Sequence, residues 1–493
     1  MKNRWRRGIL ILTTAVLLAT NGCTGLFNEI NTDPDAYSSV PYTNILGYGL
    51  RRVATPFGGD IEGYGTWAGY INKIQYMDYM SGFIPSNNTY GNRWLAAYVV
   101  NSQFKNVLQL TEAEAEGNKN IRYACRIWQN YLWSYLLDGW GDIPYFDALK
   151  GSQEEGSILK TPYDDQQVVY KAVMDSLEVI ANEMGASLGT DALGEGDFLY
   201  NGDIKKWQRF CNSIRLRMAM RVSGVLPDLS KSTIEEICSN PGKFPVIDSN
   251  DNAADFWWQG SGDYFEPWYD NSRTRDDHGL SDIFIDHLKE MQDPRLHTIA
   301  KPATSDGEYR GVQNGLRNNP TLNTISRIGS LYRDQPAGFT PFFQACETYY
   351  ILAEAAMLGW NVGMPAQEAY EKAVRLSMEA NGVSDADAEA YLSGKGEWDN
   401  TTERIHWDMW VGLFKNNFEA WCLYRRTGVP TTNYIAIESV WKGIHNDHPF
   451  RITYPNNQYL YNTDMVNQAV SKQGIVDYVW GGQLFWDKRT GVN

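Results

Sequence analysis

The stretch from Asn400 to Pro430, NTTERIHWDMWVGLFKNNFEAWCLYRRTGVP, constrains the fold more than any other part of the chain. Trp410, Leu413, Phe414, Phe418, Trp421 and Tyr424 recur on one face at helical spacing. Asn400 is placed to cap the start, with Glu403 reaching back to it as in a capping box. Gly428 permits the positive φ of a helix end, and Pro430 refuses further helix. A helix with so much aromatic surface cannot stand in water, so the core is expected to be built around it.

Other segments carry the same period. Helices are predicted over Tyr42–Val53, Tyr64–Tyr79, Trp94–Glu116, Ile121–Leu136, a segment opened by Thr161-Pro162, Trp207–Arg221, Phe343–Leu358, Ala366–Ala380 and Asn456–Val470. Small residues in Tyr350–Gly359 and at Ala366, Ala369 and Ala373 let two helices approach closely, as in tetratricopeptide units. Residues 240–278 and 294–342 are instead rich in Gly, Pro, Asn, Asp and aromatics, without helical period. Loops of that length are usually functional or disordered, and so many aromatics argue against disorder. The fold class expected is mostly α: a tetratricopeptide-like helical-repeat scaffold with long irregular aromatic-rich loops.

At the N-terminus, Lys2, Arg4, Arg6 and Arg7 precede an apolar run, Gly8–Thr20, too short to span a bilayer comfortably. Thr20-Asn21-Gly22-Cys23 follows, and the whole reads as a secretory signal resembling that of a bacterial lipoprotein. The expected organisation is a signal peptide over 1–22, a tether over 23–40 beginning at an acylated Cys23, and one domain over 41–493. Multiple acyl chains exceed what stable membrane anchoring needs. The other five cysteines form no CxxC, and Cys125, Cys211 and Cys422 sit on apolar helical faces as expected free thiols. A net charge of −15 lacks the basic footprint of nucleic-acid binding.

Aromatic residues make up 13% of the chain; some are needed for packing, and an excess of Trp and Tyr also suits binding surfaces. Two groups in irregular segments suit a sugar, whose C–H face stacks on a flat ring while its hydroxyls meet polar side chains. The first is Tyr64, Trp67, Tyr90 and Trp94; the second is Trp257, Trp258, Tyr264, Trp268 and Tyr269, with Arg273, Asp276 and Asp277 as hydroxyl partners. Enzyme and metal signals are poor. Gly185-Ala-Ser187-Leu-Gly189 follows a helix where a nucleophile elbow ends a strand. Asp248–Asn252 begins like a calcium loop, but Ala253 replaces the needed Gly. No catalytic residue, metal ligand or cofactor is assigned.

The chain resembles the SusD/RagB family of nutrient-binding outer-membrane lipoproteins. The resemblance rests on Asn31-Thr-Asp-Pro-Asp35, Gly141-Asp-Ile-Pro-Tyr145, Trp207-x-x-Phe210-x-Asn-Ser-x-Arg-Leu-Arg217 and Asp293-Pro-Arg295. It continues in Tyr349-x-x-Leu352-Ala-Glu-Ala355, Glu419-x-Trp421, Arg425-Arg-Thr-Gly-x-Pro430, Pro449-x-Arg451-x-x-Tyr454-Pro455 and Phe485-Trp486-Asp487. It implies four tetratricopeptide-like helix pairs supporting an irregular ligand-binding region. It also implies an outer-membrane position facing outward, an oligosaccharide cargo, no catalysis, and a SusC-like TonB-dependent β-barrel transporter as partner. The alternatives are a secreted glycosidase with an aromatic cleft and a helical-repeat protein that captures peptide.

Overall fold

Side-chain caps set where several helices begin. Asp165 accepts from the N–H groups of Gln167 and Val168, and Asp203 from those of Lys205 and Lys206, each satisfying donors that have no partner inside the helix. The computed structural model describes residues 40–58, 60–76, 90–151, 158–439, 441–476 and 479–493. The segment expected as a signal peptide, Cys23, the Asn31–Asp35 motif and nearly all of the expected tether lie outside them.

Among the described residues, four helix pairs form the scaffold. They are α1 (Tyr42–Gly58) with α2 (Gly91–Leu110), α3 (Lys119–Trp140) with α4 (Gln166–Ala186), α5 (Ile204–Arg221) with α6 (Pro227–Ser239), and α7 (Ala345–Met357) with α8 (Ala366–Ala380). Successive pairs also pack on each other, α2 on α3 and α4 on α5, as a helical repeat requires. The irregular blocks contribute three two-stranded antiparallel sheets: β1 (Ile71–Lys73) pairs with β3 (His278–Leu280), β2 (Ala254–Trp257) with β6 (Phe339–Phe343), and β4 (Ala300–Lys301) with β5 (Arg327–Ile328).

Buried ion pairs tie the helices together. Arg217 on α5 donates to both carboxylate oxygens of Glu347 on α7, at 2.5 and 2.6 Å. Arg295 is fully buried and bridges Asp293 at 2.6 Å and Asp408 at 2.9 Å. Arg426 grips Glu354 through two bonds of 2.5 and 2.7 Å. Removing one partner of such a pair leaves a buried charge uncompensated, at a cost of about 3–5 kcal/mol. Cys125, Cys211 and Cys422 are free and buried, and burial pushes the thiols of Cys211 and Cys422 up to about 12, far from reactive thiolate.

The Asn400–Pro430 stretch is two helices, not one: α9 (Thr402–Gly412) and α10 (Asn417–Thr427). Thr401, not Asn400, is the N-cap, accepting from the Arg404 N–H at 3.1 Å. The break falls at Leu413–Asn416, where Lys415 adopts φ 79°. Leu413 and Phe414 stay buried, so the apolar face survives the break. Asn416-Asn417 was the available signal, because asparagine favours helix starts over helix interiors. Gly428 ends α10 in the left-handed conformation, as expected.

Other expectations change at their ends. In place of a helix over Tyr64–Tyr79, a short one at Gly63–Trp67 gives way to β1, and residues 77–79 lie outside the described set. The helix expected over Asn456–Val470 is divided into Asn456–Tyr461 and Thr463–Lys472.

Candidate functional site

Tyr64, Trp67, Tyr90 and Trp94 are core residues, which corrects their assignment as ligand platforms. The Tyr64 ring is stacked on both sides, on Tyr90 at 4.9 Å and on Trp421 at 5.3 Å. Trp67 is 1% exposed and tilts against Trp421, while Trp94 packs on Trp140 and Tyr454. Tyr64 and Tyr135 share a hydrogen bond of 2.9 Å between their hydroxyls. Arg93 caps the Tyr90 ring and pairs with Asp60 at 3.3 Å. A ring whose faces are already covered offers none to a sugar.

The second group divides. Trp258 is 6% exposed and donates to Thr340 Oγ1 at 3.0 Å; Trp268 is 1% exposed, beneath the Lys415 ammonium. Both are packing residues, again contrary to expectation. Trp257, Tyr264, Tyr269 and Arg273 are accessible. Strand β2 explains the difference between neighbours: side chains alternate, so Phe256 goes inward and Trp257 stands 59% exposed. One side of Trp257 leans on Phe339, with ring centroids 5.2 Å apart.

From β2 to β3 the chain displays a row of rings, several held by arginines. Arg51 of α1 lies 3.8 Å over Tyr264, and Arg273 lies 4.4 Å over Phe265, which contacts Tyr269. Arg275 covers Tyr76, itself exposed, at 4.4 Å. Such contacts hold a ring in place by the attraction of the cation to its π face. Asp276 and Asp277 are committed within the protein. Burial would raise the Asp276 carboxyl, but Arg333 and Arg327 outweigh it and hold it below its ordinary value. Asp277 is buried and paired with Arg275 at 2.6 Å.

Glu266 anchors the row. Its carboxylate accepts from the Tyr269 N–H at 2.8 Å, capping the Pro267–Ser272 helix, and meets Lys415 Nζ at 3.2 Å. The break between α9 and α10 thus delivers a buried cation to the base of the aromatic segment. Beside Tyr264, an open cavity of about 710 Å³ is lined by Tyr48, Arg51, Arg52, Thr55, Asn92 and Phe198. Its outer wall is set by a close approach: a Cβ on Gly196 would meet the Thr43 carbonyl oxygen at 1.9 Å, so only glycine lets the Phe198 loop reach α1. Sequence reasoning missed this cavity. The available signal was Tyr48, Arg51, Arg52 and Thr55 on the face of α1 opposite Leu46, Leu50 and Val53, with no acidic residue in the helix.

The residues read as weak enzyme or metal signals are held by local structure. Ser187 accepts from Lys119 Nζ at 3.2 Å, and Asp248 pairs with Arg209 at 2.9 Å and accepts from Asn252 at 2.8 Å. Among the described residues, no helix is long and apolar enough to cross a membrane.

Comparison with curated proteins gives no match. Solved structures give many. A chitin-binding protein is 25% identical, with a TM-score of 0.79 over 91% of this chain and 100% of that one. A chitin-binding SusD homolog from Flavobacterium johnsoniae is 22% identical, with a TM-score of 0.76 over 90% of this chain and 99% of that one. A SusD-like protein from Bacteroides thetaiotaomicron is 23% identical, with a TM-score of 0.77 over 92% and 100%. These agree with the helical scaffold described above. Because the family model described as starch-binding and associating with the outer membrane matches residues 63–455, most of its length, the chain belongs to the SusD-like family.

Proposed function

We propose that this protein is a cell-surface lipoprotein that captures oligosaccharide on the segment from Trp257 to Arg275 and delivers it to a SusC-like TonB-dependent β-barrel. Acylated Cys23, released from a signal peptide over 1–22, tethers the remaining domain to the outer membrane in this reading. The observation that carries the binding role is the exposed face of Trp257, followed along one segment by the accessible rings of Tyr264 and Tyr269 and by Arg273. Rings that bury about half their surface contribute roughly 2–3 kcal/mol each. Two or three, less an association cost of several kcal/mol, give affinities on the order of mM to high μM. Weak capture suits a protein that must release its cargo to a transporter.

Membership of a family described as starch-binding, and likeness to a structure of a chitin-binding protein, support the glycan class. Calorimetry against a panel of oligosaccharides, starting with chitin and starch fragments, tests the reading. Binding without any released product is expected. Product release would make the protein a glycosidase, and a panel with no binder would remove the glycan role.

A further inference from the structure

Arg51 and Arg52 stand apart from the other arginines. Among the described residues, every other arginine places its guanidinium in at least one hydrogen bond or ion pair, many to buried carboxylates. Arg51 has only the face of Tyr264, and Arg52 is exposed with no such partner. Both line the cavity of about 710 Å³ beside Tyr264, and among the described residues no aspartate or glutamate lines it with them. In a chain of net charge −15, where acidic residues outnumber basic ones 59 to 44, two adjacent guanidiniums with no carboxylate partner among the described residues are a local exception. Asn92 and Thr55 add polar groups for hydroxyls; Tyr48 and Phe198 add partly exposed rings.

We infer that the cavity takes an acidic saccharide unit, bearing a uronate carboxylate or a sulfate ester, of an oligosaccharide that also lies on the aromatic segment. This rests on the glycan reading above and narrows it. The chemistry follows from the fork of N–H donors in a guanidinium, which matches the paired oxygens of carboxylate or sulfate. Stacking on Tyr264 holds Arg51 in plane without consuming its hydrogen-bonding edge. Arg52, one residue on, supplies a second cation from the same helix.

The test uses the chain without its signal segment, two charged probes and their neutral counterparts: oligogalacturonate against its methyl ester, and a sulfated galactan oligosaccharide against its desulfated form. Calorimetry at low salt is expected to give about tenfold tighter binding for at least one charged form than for its counterpart, with the difference shrinking as salt rises. That preference should collapse in R51Q/R52Q and persist in weakened form in R51K/R52K, which keeps both charges but loses the fork. Equal binding of charged and neutral forms, or a preference that persists in R51Q/R52Q, overturns the inference and leaves the glycan reading standing. Failure to bind any of the four, together with an empty neutral panel, overturns both.

Discussion

Lys415 Nζ lies 3.2 Å from a carboxylate oxygen of Glu266, and each side chain is 1% exposed. Lys415 sits in the break between α9 and α10; Glu266 caps the helix at the heart of the aromatic segment. Lys415 also lies over Trp268 and over Phe339, the ring on which Trp257 leans. This buried pair is one of the links by which the scaffold holds the aromatic segment. Lys415→Met is expected to destabilise the protein by about 3–5 kcal/mol, since it strands a buried carboxylate. Adding Glu266→Gln should restore part of that loss. Urea unfolding of both variants checks this; equal stability of Lys415→Met and the parent would contradict it.

The covered rings should behave as core. Trp67→Ala is expected to cost about 3–5 kcal/mol, as truncation of a large buried aromatic does. Trp257→Ala, with its ring in solvent, should shift stability by less than about 1 kcal/mol. Thermal melts of the two variants separate these roles, and a large loss in Trp257→Ala would show that its ring is packed after all.

Asp255 gives a pH signature. Its Oδ1 is buried without a hydrogen-bond partner, and burial pushes the carboxyl up to about 7 even though Lys415 pulls it down. An unfolded aspartate titrates at about 3.9. Between these values the folded state holds a proton that the unfolded state has lost, so stability falls as pH rises through the window. Asp255→Asn removes that loss. The variant should be more stable than the parent at pH 8, by about 4 kcal/mol, and close to it at pH 4. The same stability difference at both pH values would refute the assignment.

Membrane attachment is expected to depend on one thiol. Cys23→Ala should move the protein from the outer-membrane fraction to the soluble one, because the acyl chains are the proposed anchor. Fractionation followed by immunoblotting reads this directly, and a variant that stays with the membrane would exclude Cys23 as the anchor.

The fold was more legible than the site, for a physical reason. The residues that carry the family resemblance, among them Arg217, Asp293, Arg295, Glu354, Glu419, Trp421 and Arg426, are the buried ion pairs and rings that lock helices together. Their patterns are local, and helical period exposes them. Accessibility is set by distant partners instead. Tyr64 looks available until Trp421 covers it from the far end of the chain. Trp257 and Trp258 are adjacent and identical in type, and only the register of β2 against β6 sends one outward. The break had a local signal in Asn416-Asn417, but the pairing of Lys415 with Glu266 is one that no helical pattern in Asn400–Pro430 encodes.

The most direct test of the account is calorimetry with the tightest-binding oligosaccharide from the panel, comparing the parent with Trp257→Ala. Loss of this indole, the most exposed among the described residues, should weaken binding about tenfold or more while the melting temperature stays put. Unchanged affinity in a folded Trp257→Ala protein would contradict the claim that glycan is captured on this segment.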